Sequence, residues 1–391
     1  MPWKETCAMD ERRGFVLEAL KQEAGIAELC RYYGISRKTG YKWLARYDAE
    51  GSSGLNDRSH APLICPHRLS EEVVEEVLKV RVKHPTWGPK KIRSWLDGHD
   101  ACGEWPALST IGELLKSRGL SVARRPRRRV PLSAPLGDCT RPNAVWSVDF
   151  KGWFRTADGS RCDPLTLKDA HSRYLLRCQA VERADTEHVW PIFDAALREF
   201  GLPERVRSDN GPPFASRAAG GLSRLSVRLI KAGVLPERIE PGKPQQNGRH
   251  ERFHLTLKRE TANPPAANLR AQQRRFDNFR RIYNEDRPHE ALRQTPPVRH
   301  YAASPRRYSG RLYEPEYENG VQVRRVRQRG EIKWRGELIF VSEVLIGEPV
   351  GCEEIGNGIW SLRYGPIPLG TIDHRLRLCV PRRRGTHSPS S

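Results

Sequence analysis

Three acidic residues, each in a distinct setting and in fixed order, constrain this chain more than any other feature. They are Asp149 in Val145-Trp146-Ser147-Val148-Asp149-Phe150, Asp209 in Arg207-Ser208-Asp209-Asn210-Gly211, and Glu251 in Gln245-Gln246-Asn247-Gly248-Arg249-His250-Glu251-Arg252-Phe253. Taken singly, each has an ordinary reading: a half-buried structural aspartate, a hairpin turn, and a solvated helix charge beside Arg252. Taken together they ask for a fold that converges them. Asp149 and Asp209 lie 60 residues apart, and Asp209 and Glu251 lie 42 apart, which leaves room for intervening strands and helices.

The local patterns supply such elements. Alternation from Trp146 to Trp153 predicts a strand with Val148 and Phe150 on one face and Ser147, Asp149 and Lys151 on the other. Leu165-Thr166-Leu167 and Tyr174-Leu175-Leu176 predict two more strands, Val189 to Phe200 a helix, and the run around Val206 a strand that delivers Asp209 at its end. Glu251 falls in a helix that begins near Asn247, where Asn247, Glu251, His254 and Lys258 share one face. A converged acidic trio can hold two Mg2+ ions, because hard cations take carboxylate oxygen. A phosphodiester under attack needs both its attacking and its leaving oxygen stabilised.

Composition points the same way. The chain carries 68 Lys and Arg against 47 Asp and Glu, a formal charge of +21, so a polyanion such as double-stranded DNA is the leading partner. A membrane is the weaker reading, since no stretch approaches the roughly 18 to 20 consecutive apolar residues of a span. Met1-Pro2-Trp3-Lys4-Glu5 lacks the apolar core of a signal peptide, which places the protein in the cytoplasm, on the nucleoid. Nine cysteines without paired CxxC spacing read as reduced thiols and imply no zinc site.

Before the acidic trio, residues 10–60 read as helix, helix, turn, helix, with Gly34 at the turn and Ser36 capping the last helix. Arg37, Lys38 and Lys42 would decorate its exposed face toward DNA, and Gly40 counts against that helix by about 1 kcal/mol. The alternative is a small helical bundle with solvated charges. Residues 68–123 predict a second such unit, with Ser70 capping, Pro89 near the start of its middle helix, and a last helix that ends around Arg118-Gly119. It reads as a second DNA-binding module or as a packing domain. Residues 124–142, with Arg124-Arg125-Pro126-Arg127-Arg128-Arg129, form a basic linker that either tracks the DNA backbone or is merely solvated.

Most of the chain resembles the integrase-core transposases of bacterial insertion sequences, relatives of retroviral integrases within the RNase H-like fold, with the catalytic core over residues 143–300. The resemblance rests on the three acidic segments, on Thr256-Leu257-Lys258, and on Tyr283-Asn284-Glu285-Asp286-Arg287-Pro288-His289. It implies a multidomain chain: N-terminal all-α helix-turn-helix modules, a central α/β RNase H-like core, and a small C-terminal β-barrel. It also implies an Asp-Asp-Glu catalytic triad at Asp149, Asp209 and Glu251, which would ligate two Mg2+ ions with Mn2+ as a substitute. The reactions implied are cleavage of the element's ends and strand transfer into target DNA by a homo-oligomer assembled on DNA. Two rivals stay open: a transposase-derived regulator with an inactive core, and a nuclease of the same fold that cuts without joining.

Lys258 reads either as a phosphate contact or as a solvated charge. The interval from Asp209 to Glu251 is longer than in retroviral integrases, which marks Ala215 to Glu237 as an insertion. Strands at Val321 to Val326, Ile332 to Trp334, Leu338 to Val341 and Ile359 to Tyr364 predict the barrel over residues 320–381, used for DNA contact or assembly, or else a structural cap. Residues 382–391 read as a disordered basic tail.

Overall fold

A computed structural model describes residues 7–58, 69–100, 103–121, 139–239, 248–373, 375 and 377–380, with residues 248–251 described by their backbone only. The arginine-rich linker segment 124–131, Asn247 and the tail 382–391 lie outside the described residues. The chain divides into two compact units, Met1–Arg68 and Leu69–Ser391.

In the first unit, helices α1 (Ala8–Lys21), α2 (Ile26–Tyr32) and α3 (Arg37–Glu50) close on Phe15, Val16, Leu29, Cys30, Trp43 and Leu55. Gly34, at φ +65°, turns the chain between α2 and α3, and the Ser36 hydroxyl accepts the Thr39 N–H at 3.1 Å to start α3. Gly40 weakens α3 as an isolated helix but is required by its packing. A Cβ there would sit 2.6 Å from Cys30 Sγ and 2.9 Å from the Phe15 ring. Arg37, Lys38 and Lys42 are all exposed on α3.

The second unit begins with α4 (Glu71–Lys83), α5 (Pro89–His99) and α6 (Leu108–Ser117) around Val77, Val80, Trp87, Ile92, Leu96, Ile111 and Leu115. Ser70 caps α4, and Pro89 opens α5, where its missing N–H leaves nothing unsatisfied.

The sheet that follows carries the acidic residues. Its strands are β1 (Val145–Phe150), β2 (Phe154–Arg155), β3 (Arg161–Asp169), β4 (Leu175–Val181), β5 (Arg205–Ser208) and β6 (Leu235–Arg238). β3 pairs antiparallel with β1, β2 and β4, while β5 runs parallel to β1 and β6 parallel to β5. On one face, α7 (Thr186–Phe200) and α8 (Arg224–Lys231) pack Val189, Phe193, Leu197, Leu225 and Leu229 onto Trp146, Val148, Leu165, Leu167 and Val206. On the other, α9 (Gly248–Thr261) and α10 (Leu269–Arg281) pack Phe253, Leu257, Phe276 and Phe279 onto Cys162, Leu175 and Cys178. Helices on both faces of a mixed sheet form the α/β core that the resemblance implied.

Two expectations change. The strand expected to run to Trp153 stops at Phe150 and resumes at Phe154, with Gly152 at φ +87° in the break. The expected insertion holds α8 and β6, so the stretch from Ala215 to Glu237 extends the sheet.

The C-terminal strands are β7 (Gln322–Arg325), β8 (Glu331–Trp334), β9 (Glu337–Phe340), β10 (Pro349–Gly356), β11 (Ile359–Tyr364), β12 (Ile367–Ile372) and β13 (Leu378–Cys379). Five pair in the order β13-β12-β11-β10-β7, and β8 and β9 form a separate hairpin. Among the described residues no pairing closes these strands into a barrel. Ile332, Trp334, Val350, Leu362 and Leu369 share one core with Leu222 and Val227, which come from the stretch around α8. Among the described residues, no helix is long and apolar enough to cross a membrane.

Candidate active site

Strand register places the two aspartates toward the same end of adjacent strands. β1 and β5 are parallel and in register as far as Ser147 and Arg207, with Asp149 two residues further along β1 and Asp209 just past the end of β5. Asp149 is largely buried, its side chain 16% exposed. Asp209 follows the end of β5, and its Oδ1 accepts the Gly211 N–H at 3.2 Å. Burial raises the Asp209 pKa, and that N–H only partly opposes it. The two carboxylates, each partly buried, offer oxygen donors, the kind that a hard divalent cation takes.

α9 lies against this pair. His254 Nδ1 is 4.0 Å from Asp149 Oδ2, and its Nε2 is 3.0 Å from Thr166 Oγ1. The Thr166 hydroxyl in turn donates to the Asp149 carbonyl at 3.1 Å, which ties β1, β3 and α9 together at one point. Burial first, then the Lys168 and Lys151 charges, push the His254 pKa down to about 3, so the ring is neutral at ordinary pH. Glu251 sits one helical turn before His254 on α9. Among the described residues, no group of three His, Cys, Asp or Glu side chains forms a metal-binding cluster.

The charges around the pair are mostly positive. Lys151 has its pKa lowered by burial and then by Lys258, against the pull of Asp163 and Asp149. Lys258 itself is exposed. Lys168 Nζ lies 4.3 Å from the centroid of the Phe253 ring. Asp163 is buried on β3, and its pKa is raised by that burial against the opposing effect of Arg161. Sequence reasoning did not single out Thr166, Lys168 or Asp163, because nothing local marks a β3 residue that meets α9 nearly ninety residues later.

The Tyr283–His289 segment serves as a latch. Asn284 accepts the Leu175 N–H at 2.8 Å and donates to the Leu175 carbonyl at 3.0 Å, which pins the end of α10 to β4. Arg287 pairs with Glu260 on α9, and Thr86 from the second helical module bonds the same carboxylate. Lys91 donates to the Pro288 carbonyl, and Ser94 donates to the Gln294 carbonyl at 2.9 Å. Arg37, Lys38 and Lys42 belong to the other unit, on the exposed side of α3.

Comparison with known proteins agrees with this architecture. The integrase core domain family matches residues 139–244 and again 232–297, a helix-turn-helix domain matches 11–62, and a homeodomain-like domain matches 39–115. An uncharacterized 31.7 kDa protein of insertion element IS407 from Burkholderia multivorans is 27% identical over 290 residues, which cover 72% of this chain and 92% of that protein. An uncharacterized 39.2 kDa protein of insertion element IS476 from Xanthomonas euvesicatoria is 28% identical over 244 residues, 61% of this chain and 66% of that protein. A simian T-cell lymphotropic virus intasome chain, solved in complex with PP2A regulatory subunit B56 gamma, aligns with 78% of this chain and 100% of its own at 13% identity and a TM-score of 0.37. At that level the superposition carries no argument, and the fold rests on the strand order above. With integrase core domain matches behind helix-turn-helix and homeodomain-like segments, the chain is similar to proteins encoded by bacterial insertion elements.

Proposed function

We propose that the chain binds the ends of its own element, hydrolyses a terminal phosphodiester and joins the freed 3′-hydroxyl to target DNA. The observation that supports this reading is the parallel register of β1 and β5, which carries Asp149 and Asp209 toward the same end of adjacent strands, with His254 of α9 4.0 Å from Asp149. In the first step a water oxygen bonds to phosphorus, and the 3′ oxygen leaves and takes a proton. In the second, that 3′-hydroxyl bonds to a target phosphorus and displaces the target's own 3′ oxygen, so the number of phosphodiester bonds is conserved.

Asp149 and Asp209 are the residues to hold a divalent cation jointly, and Glu251 completes a second site, with Mg2+ as the ion and Mn2+ as its substitute. Bound there, such ions supply the charge that stabilises the attacking and leaving oxygens. The chain's own residues set the geometry. β1–β3 pairing and Thr166 fix the Asp149 backbone, Gly211 orients Asp209, and neutral His254 fills the space beside Asp149 without adding charge. Lys151 and Lys258 then draw in the phosphate backbone.

End recognition falls to residues 10–125, through Arg37, Lys38 and Lys42 on α3. The C-terminal strands, read as a small barrel-like body, add DNA contact or assembly surface. Joining two ends to one target requires two active sites, so the working form is a homo-oligomer on DNA, acting in the cytoplasm on the nucleoid.

The test uses labelled element ends, identified from the inverted repeats that flank the gene, with and without Mg2+. The expected result is metal-dependent cutting, followed by joining of pre-cut ends. Binding without cutting indicates the inactive regulator, and cutting without joining indicates the nuclease.

A further inference from the structure

β1 and β2 are one strand interrupted by a bulge. Phe150 pairs with Leu165 and Phe154 with Cys162, so four steps on one side span three on β3. Gly152, at φ +87°, takes up the extra residue. A bulge of this kind re-aims the side chains around it. Phe154 turns inward against the core that holds Phe253 and Leu257, whereas Trp153 is left 56% exposed. Every other tryptophan among the described residues is buried or half-buried. An indole at the surface keeps an aromatic face open to a stacking partner.

The surroundings indicate which ligand. The Arg161 and Arg155 guanidinium carbons lie 5.2 and 5.9 Å from the Trp153 ring centroid. The two arginines are cross-strand partners on β2 and β3. Lys151, two residues earlier, feels the charges of both Lys258 and Asp149. Trp153 is four chain steps beyond Asp149, so their Cα atoms lie within about 14 Å of each other. An exposed aromatic ring beside two arginines, one of them also 3.4 Å from Asp163, on the segment that follows Asp149 combines the two features that single-stranded nucleic acid requires: a stacking surface and positive charge.

We infer that Trp153 is a stacking platform for an unpaired DNA base next to the scissile phosphate, with Arg155 and Arg161 neutralising the phosphates on either side. The inference rests on the proposed function only for the position of the scissile phosphate. Paired duplex hides the faces of its bases, so the platform favours ends that are frayed. Stacking of one base on an aromatic side chain is worth about tenfold in affinity.

The experiment uses the full chain without metal and a 30-base-pair duplex whose last three nucleotides are unpaired, with 2-aminopurine in the unpaired strand and a blunt duplex as reference. Wild type is expected to bind the frayed end about tenfold more tightly than the blunt one and to quench the 2-aminopurine. Trp153→Ala loses both the preference and the quench, Trp153→Phe keeps most of each, and blunt-end affinity stays the same in all three, which reports intact folding. A wild-type preference and quench in Trp153→Ala, or neither effect in wild type, overturns the platform. Mg2+ added to the same complexes separates this result from the wider reading. Stacking without cutting leaves the platform and sinks the transposase chemistry, whereas cutting without Trp153-dependent stacking sinks the platform alone.

Discussion

His254 shows how a single side chain ties the candidate site together. Its two ring nitrogens face Asp149 and Thr166, which lie on adjacent strands, so the ring sets the distance between α9 and the sheet. Truncation to Ala leaves a gap there and frees α9 to shift relative to Asp149. The expected outcome is a roughly 10- to 100-fold fall in the rate of metal-dependent cleavage with end affinity within about twofold of wild type, as for other groups that orient metal-binding side chains. Single-turnover kinetics at saturating protein, alongside equilibrium binding, separate the two effects. An unchanged cleavage rate removes His254 from the positioning role. Residue type and setting singled out Asp149, Asp209 and Glu251 as candidates from the chain alone. Thr166, Lys168 and Asp163 were not singled out, because their surroundings exist only once β3 lies between β1 and β4.

Elements with strong periodicity and caps were readable in the sequence: α3 behind Ser36, α4 behind Ser70, α5 behind Gly88-Pro89. The bulge after Phe150 was not, since the alternation continues through Lys151 and only pairing with β3 exposes the extra residue. β10 was missed because its outer half, Glu353-Glu354-Ile355-Gly356, reads as a polar turn, although its inner half is buried. The segment around α8 looked like an insertion because its partners, β5 and the C-terminal core, lie elsewhere in the chain. The latch between the second helical module and the core has a direct test. Arg287 and Glu260 are 9% and 18% exposed, so removal of either partner strands a charge in a largely buried place. Glu260→Ala or Arg287→Ala should each destabilise the second unit on the order of 3 kcal/mol, and a paired Glu260→Met, Arg287→Met variant should cost less than either. Guanidinium melts followed by tryptophan fluorescence read this out, and a double variant as damaged as the sum of the singles contradicts it.

Across the whole molecule, buried neutral imidazoles couple stability to pH. Burial, the first cause in each case, pushes His84 down to about 4 and His289 to about 2. Both folded values lie below the unfolded 6.5, so below that pH the unfolded chain binds more protons. Their contribution is therefore complete above pH 6.5 and is lost as the pH falls toward 4 and beyond. Thermal melts should hold level between pH 7 and 8 and drop below pH 6, and His289→Gln should reduce the drop. A melting temperature that is unchanged down to pH 5 contradicts it. The net charge of +21 sets a second dependence, since affinity for any duplex should fall steeply with salt as counterions compete for the phosphates. The most direct test of the central claim is joining of labelled, pre-cut element ends into a supercoiled target in Mg2+ by the full chain and by Asp149→Ala, Asp209→Ala and Glu251→Ala. Wild type should join ends only with metal, and each variant should lose joining by at least about a thousandfold while still binding ends. Wild-type-like joining by any one of the three variants, or joining by wild type without a divalent ion, would contradict the account.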